Sequence, residues 1–286
     1  MRTQKVVRIS INYFIIFSVI IFGGLLVLIE GAFYKLSDYF QSIESPGELY
    51  EQQVSFIFAV AIFQEFQARG FPYLLSYIQL NRKYPVSLQK EVDIYVKIPK
   101  SKLPPEILHR WANSGVCEEN WIEVKFFGGA ERKQSSERKT RNLGELLEDL
   151  LRLKFYVQKG GKYLLLVFNR KPEYYLPFKM RKEGKKRDYI PYLLRHGRDL
   201  IKIDFNQEPQ TVINSISPDL RNLINQKKGT IEFDLQKHSI EPILVKGLIS
   251  PVELGKLRRS RIHVGVTTSE PVYYFYLLRI LETFRI

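Results

Sequence analysis

Two short segments carry the residues best able to do chemistry: Glu91-Val92-Asp93-Ile94-Tyr95-Val96 and Trp121-Ile122-Glu123-Val124-Lys125-Phe126-Phe127. Both alternate polar and apolar residues with the period of a β-strand. Asp93 therefore faces away from Val92, Ile94 and Val96, and Glu123 and Lys125 face away from Ile122, Val124 and Phe126. If the two strands pair, two carboxylates and one ammonium meet at one edge of an otherwise apolar sheet. Carboxylate oxygens are the donors a hard divalent cation prefers, and an ammonium beside them suits a phosphate.

A Glu-x-Lys triplet alone has no specificity: Glu183-Gly184-Lys185 fits it equally, within a charged stretch with no strand pattern. The elements around Glu123 separate the two copies. Residues 48–67 read as a helix with a broad apolar face (Val54, Phe56, Ile57, Ala59, Val60, Ile62, Phe63), ended by Gly70-Phe71-Pro72. Residues 73–80 read as a first strand, 81–85 as a turn, and then comes the strand of Asp93, closed by Pro99 and Pro104-Pro105. An insertion, partly helical around 106–113, leads to the strand of Glu123, which Gly128-Gly129 ends. A basic loop (Arg132, Lys133, Arg138, Lys139, Arg141) precedes a helix with Asn142 as its N-cap and Leu143, Leu146, Leu147, Leu150 and Leu151 as its apolar stripe. Residues 162–168 form a buried strand, and 273–284 read as a packed helix.

Helix, three strands, helix, strand over residues 48–170, with Asp93 and Glu123-Val124-Lys125 at these places, resembles the PD-(D/E)XK nuclease superfamily. The resemblance implies an α/β restriction-endonuclease-like core, a mixed sheet flanked by helices. It also implies hydrolysis of phosphodiester bonds, in DNA, by Mg²⁺-assisted attack of water, with Mn²⁺ able to substitute. Asp93 and Glu123 would be the metal-binding carboxylates and the backbone carbonyl of Val124 a further ligand. Lys125 would hold or polarise the attacking water. The family often adds an acidic residue from the first core helix; Glu51 is the candidate, with Glu48 and Glu65 behind it. Val92, not proline, precedes Asp93, a departure that many members share.

The 286 residues are enough for one large domain or two small ones, and 45% hydrophobic content supports a core. A net charge of +14 favours a polyanionic partner, nucleic acid or an acidic membrane surface. Cys117, the only cysteine, excludes an intramolecular disulfide and a Cys-rich zinc site. His109, His196, His238 and His263 lack zinc-ligand spacing, and there is no P-loop or dinucleotide-binding glycine fingerprint. Residues 171–286 read as a basic α+β extension, for substrate binding or core completion. There Lys179, Arg181, Lys185, Lys186 and Arg187 lie among Tyr174, Tyr175, Phe178, Tyr189 and Tyr192, and Arg258 and Arg259 form a second basic cluster. Cations among aromatics suit a nucleic-acid backbone; a solvated loop is the plainer reading of the same pattern.

At the N-terminus, residues 9–29 carry no charge and as a helix would extend about 31 Å, one hydrocarbon core. Arg2, Lys5 and Arg8 precede them, which would keep that side cytoplasmic and put the larger domain across the membrane. The expected organisation is a tail and single transmembrane helix in 1–41, a nuclease-like core in 42–170 and the extension in 171–286. Two other readings stay open: a membrane-anchored, non-catalytic binding or scaffold protein of the same fold, and a cytoplasmic soluble enzyme using 9–29 as a core or dimer helix. A homodimer is compatible with either.

Overall fold

The computed structural model describes residues 28–41, 49–69, 74–87, 89–98, 101, 105, 117–128, 136–170, 172–177, 179–182, 185–188, 200–204, 214–227, 230–235 and 273–280. The helices are α1 (Leu28–Gln41), α2 (Glu51–Ala68), α3 (Ser136–Tyr156) and α4 (Pro218–Lys227). The strands are β1 (Ile78–Lys83), β2 (Glu91–Lys97), β3 (Glu119–Phe127), β4 (Gly161–Phe168), β5 (Lys179–Lys182), β6 (Lys185–Asp188), β7 (Leu200–Asp204), β8 (Thr230–Leu235) and β9 (Tyr274–Ile280). Seven strands form one mixed sheet in the order β1-β2-β3-β4-β9-β8-β7, while β5 and β6 pair separately. Only β3 and β4 run parallel, and α3 is the crossover such a pair requires. The class is α/β, as expected.

The alternating pattern of β2 and β3 sorts the core into two layers. Ile94, Val96, Ile122, Val124 and Phe126 pack under α1 and α2. Tyr95, Trp121 and Phe127 pack on the other face under α3, whose five stripe leucines are all buried. All eight residues of β4 are buried, because helices cover both faces and β3 and β9 both edges. Leu150 has no solvent exposure at the middle of the α3 interface. Leu150→Ala should cost about 2–5 kcal/mol, read as a lower denaturant midpoint at unchanged m-value.

Several expectations are corrected. Within the stretch 273–284 expected as a helix, Tyr274–Ile280 is instead strand β9, between β4 and β8, and residues 281–284 lie outside the described residues. Being covered on both faces, β9 shows no period of two to mark it as a strand. Asn142 does not open α3, which starts at Ser136; it is buried in the helix and its Nδ2 donates to the carbonyl of Tyr175 at 2.9 Å. The first strand is displaced towards the C-terminus, with Leu74–Tyr77 a 3-10 turn and Asn81 to Lys83 inside β1. Asn81 adopts φ 55°, within the left-handed region asparagine tolerates.

The uncharged N-terminal run also reads differently at its end. Leu28 and Ile29 begin α1 and are buried against α2 and the sheet, so the boundary expected at 41/42 falls inside one packed layer. Gly31 permits the close approach: a Cβ there would lie 2.4 Å from Glu65 Oε1. Glu65 is accordingly a structural residue, not a reserve site carboxylate. Burial alone would raise its pKa, but ion pairs to Lys35 and Arg69, each at 2.7 Å, lower it. Among the described residues no helix is long and apolar enough to cross a membrane. Residues 9–27 and Glu48 lie outside the described residues.

Candidate functional site

Strands β2 and β3 pair from Lys97↔Glu119 to Ile94↔Ile122 and then part. The next facing positions in that register belong to Asp93 and Glu123. At this fork β3 loses a partner on one edge while β4 continues to pair with the other through Phe127. Backbone donors stripped of a strand need other acceptors, and carboxylates supply them. The Val124 amide donates to Asp93 Oδ2 at 2.7 Å, and the Phe126 amide donates to Glu51 Oε2 at 3.0 Å. In an extended strand a residue's C=O leaves by the same edge as its N–H, which directs the Val124 carbonyl into the fork as well.

Asp93, Glu123, Lys125 and Glu51 thus come together. Glu123 shares a hydrogen bond with Asp93 and accepts a second from the Tyr84 hydroxyl. Lys125 Nζ lies 3.2 Å from Asp149 Oδ2 and 3.6 Å from Glu51 Oε1. Glu51 reaches β3 from the first turn of α2, where the helix dipole also favours a carboxylate.

Four participants escaped the sequence reading: Asp149, Arg152, Glu148 and Tyr84. Asp149 and Arg152 come from α3: Arg152 Nη1 is 2.9 Å from Asp149 Oδ1, and its Nη2 binds Glu148. The signal was present, since Asp149 lies three residues after Leu146 and four before Leu153, both fully buried. A carboxylate on the buried stripe of a helix needs a cation to meet it. Tyr84, in the turn between β1 and β2, is stacked on Trp121 with ring centroids 5.8 Å apart, and this fixes its hydroxyl over Glu123. Nothing in the sequence distinguishes it from an ordinary turn tyrosine.

Among the described residues, Glu51, Asp93, Glu123, Glu148 and Asp149 meet the cations Lys125 and Arg152, a formal excess of three negative charges within this set when all are ionised. Two like charges about 4 Å apart at an effective dielectric of 20 repel by roughly 4 kcal/mol, so the cluster holds protons. Burial, then Asp149 and Asp93, push the Glu123 carboxyl well above the carboxylate range. Burial also raises Asp149, to about 6, against the pull of Lys125 and Arg152. Lys125 moves upward too: burial works against its charge, but Asp149 and Glu51 outweigh it and keep the ammonium protonated.

Hard oxygen donors with surplus negative charge match a divalent cation. Among the described residues, however, no three His, Cys, Asp or Glu side chains are grouped closely enough to hold an ion as they stand. Access is from one side: Glu123 and Asp149 are buried, whereas Asp93 is half-buried and Glu51 retains about a third of its side-chain exposure (34%).

The expected basic residues fall elsewhere in the chain. Lys179 and Arg181 lie on β5 and Lys185, Lys186 and Arg187 on β6, a hairpin apart from the main sheet. Arg258 and Arg259 lie outside the described residues. No family model matches the chain, and neither does any curated protein or solved structure.

Proposed function

We propose that the chain is a metal-dependent nuclease of PD-(D/E)XK type that hydrolyses phosphodiester bonds in DNA. The observation that carries this reading is the meeting of Asp93, Glu123 and Lys125 at the fork between β2 and β3. Asp93, Glu123 and the Val124 carbonyl would hold Mg²⁺, or Mn²⁺ in its place. Bound there, the cation supplies a Lewis acid for a phosphoryl oxygen and lowers the pKa of a water. Lys125, kept protonated by Asp149 and Glu51, serves as a cationic hydrogen-bond donor to the attacking water or the phosphate, not as a general base. Asp149 and Arg152 hold the ammonium in place, and Tyr84 orients Glu123.

The basic hairpin supports a polyanionic substrate. Its register sets Arg181 opposite Lys186 and Lys182 opposite Lys185, which concentrates basic residues on one short ladder. The apolar run of residues 9–27 would anchor the chain in a membrane in a single pass, with a cytoplasmic soluble form as the alternative.

A second reading, a membrane-anchored scaffold of the same fold without activity, draws on the same fork. There Asp93 and Glu51 are already used as caps for β3 amides. Calorimetric titration of the full chain with Mg²⁺ separates the two. The nuclease reading expects a saturable site that tightens from pH 5 to pH 8, because the cation displaces a proton from Glu123, whose pKa is raised by burial and by the carboxylates around it, with Asp149 at about 6 beside it. A flat titration at both pH values supports the scaffold.

A further inference from the structure

The fork between β2 and β3 has an open end, and the turn joining β1 to β2 stands at it. Strand β3 runs antiparallel to β2, so its last residues and the first residues of β2 lie at the same end of the sheet. Beyond Ile94 and Ile122 the two strands part towards that end, and the β1–β2 turn is the tip of one prong. The turn is closely tied. The Tyr84 amide donates to the Lys90 carbonyl at 3.0 Å, the Ser87 amide to the Tyr84 carbonyl at 3.2 Å, and the Lys90 amide to Ser87 Oγ at 3.2 Å. Its buried anchor is Tyr84, whose ring lies against Trp121 and Tyr156 and whose hydroxyl donates to Glu123.

Lys83 and Lys90 flank that tyrosine, one through the peptide bond and the other through the backbone hydrogen bond. Lys83 is exposed and Lys90 half-buried. Among the described residues neither ammonium has an ion pair or a side-chain hydrogen bond, although Glu91 stands opposite Lys83 in the ladder. Lys35, Lys97 and Lys139, by contrast, are held by Glu65, Glu119 and the Glu173 carbonyl. Arg82 is engaged as well, over the Tyr95 ring and with Gln79. The carboxylates at the fork, in formal excess over Lys125 and Arg152, repel a polyanion as readily as they attract a metal. Uncommitted cations at the entrance offset that repulsion, and a lysine ammonium is a point charge suited to a phosphate.

We infer that the β1–β2 turn is a phosphate clamp: Lys83 and Lys90 hold backbone phosphates of the DNA strand that enters the fork, beside the phosphate to be cut. The inference rests on the nuclease reading of the fork and adds the path of the substrate strand, past the turn and over Tyr84. Contacts of this kind fix the register of a strand and read no sequence. The lysines bind the strand and do not touch the reacting atoms.

The test titrates the full chain in detergent against fluorescein-labelled duplex DNA, with chelator, from about 50 to about 200 mM salt. Lys83→Gln/Lys90→Gln is compared with Lys97→Gln/Lys159→Gln, which removes the same charge at the other end of the sheet, where Lys97 ends β2 and Lys159 precedes β4. Each phosphate contact on a duplex contributes about 0.9 to the slope of log K against log salt, so the turn variant should be shallower by about 1.8. The control should keep the wild-type slope. With Mg²⁺ the turn variant should raise KM for cleavage and leave kcat unchanged, the mark of lost uniform binding. A slope that stays the same, or that changes equally in both variants, overturns the inference and leaves the nuclease reading standing. A shallower slope with KM unchanged also overturns it, because the DNA held at the turn is then not the strand that is cut. A wild-type chain that binds the DNA and cleaves none of it with Mg²⁺ or Mn²⁺ defeats the nuclease reading and the clamp with it.

Discussion

Lys125→Met should reduce Mg²⁺-dependent cleavage by about a hundredfold to a thousandfold, the loss typical of removing one preorganised donor at developing charge. DNA binding should remain, because the basic hairpin is separate from the sheet that carries Lys125. The substitution also removes the cation that Asp149 and Glu51 share. Asp149 is 4% exposed at its side chain and would be left with Arg152 alone, and breaking a buried pair on one side costs about 3–5 kcal/mol. Instability could therefore be mistaken for lost chemistry. Adding Asp149→Asn to Lys125→Met separates the effects, since it deletes the orphaned charge. The double variant should regain much of the lost thermal stability and none of the cleavage. Recovery of both would make Lys125 a structural partner only.

Glu123→Gln should move activity and stability in opposite directions. The amide keeps the shape and still accepts from the Tyr84 hydroxyl, but an amide is a weaker metal ligand than a carboxylate. Mg²⁺ affinity should fall by at least the roughly tenfold to hundredfold seen for residues that merely support metal ligands, and cleavage should fall with it. The stability effect follows from linkage. Folding raises the pKa of Glu123 through burial and through Asp149 and Asp93. The folded chain therefore holds a proton that the unfolded chain, with a pKa of about 4.3, releases. That contribution to stability is complete below about pH 4 and is lost as the pH climbs towards the folded pKa. Without metal, wild type and variant should melt together near pH 4, and the variant should melt progressively higher from there to pH 8. Saturating Mg²⁺ at pH 8 should stabilise wild type and leave the variant unmoved. A variant that melts lower at every pH would mean that Glu123 is held by its hydrogen bonds and carries no burial penalty.

Much of the site could be read from the sequence because strand periodicity is local. The alternation around Asp93 and Glu123 set Ile94, Val96, Ile122, Val124 and Phe126 on the face opposite the carboxylates, and those five share one core layer, but Val92, expected with them, packs in the other layer beside Tyr95 and Trp121. The order of elements from α2 to β4 was equally readable, since each boundary carries a Gly, Pro or polar turn. What failed lay where covering hides periodicity or where partners are distant. Strand β9 is apolar on both faces, and only its place between β4 and β8 makes it a strand. Asp149 becomes a site residue through a contact 24 positions back in the chain, and Tyr84 through one 39 positions ahead. No window of local pattern spans those separations. Asn142 looked like a helix cap because Asn ordinarily is one, yet its side chain bonds the Tyr175 carbonyl from inside α3.

The most direct measurement is nicking of supercoiled plasmid DNA by the full chain in detergent, with Mg²⁺, with Mn²⁺ and with chelator, beside the Lys125→Met/Asp149→Asn protein. The account predicts nicked and linear products with either metal, none with chelator and none from the double variant. Plasmid that stays supercoiled with both metals, under conditions where the chain is folded and binds the DNA, would contradict it.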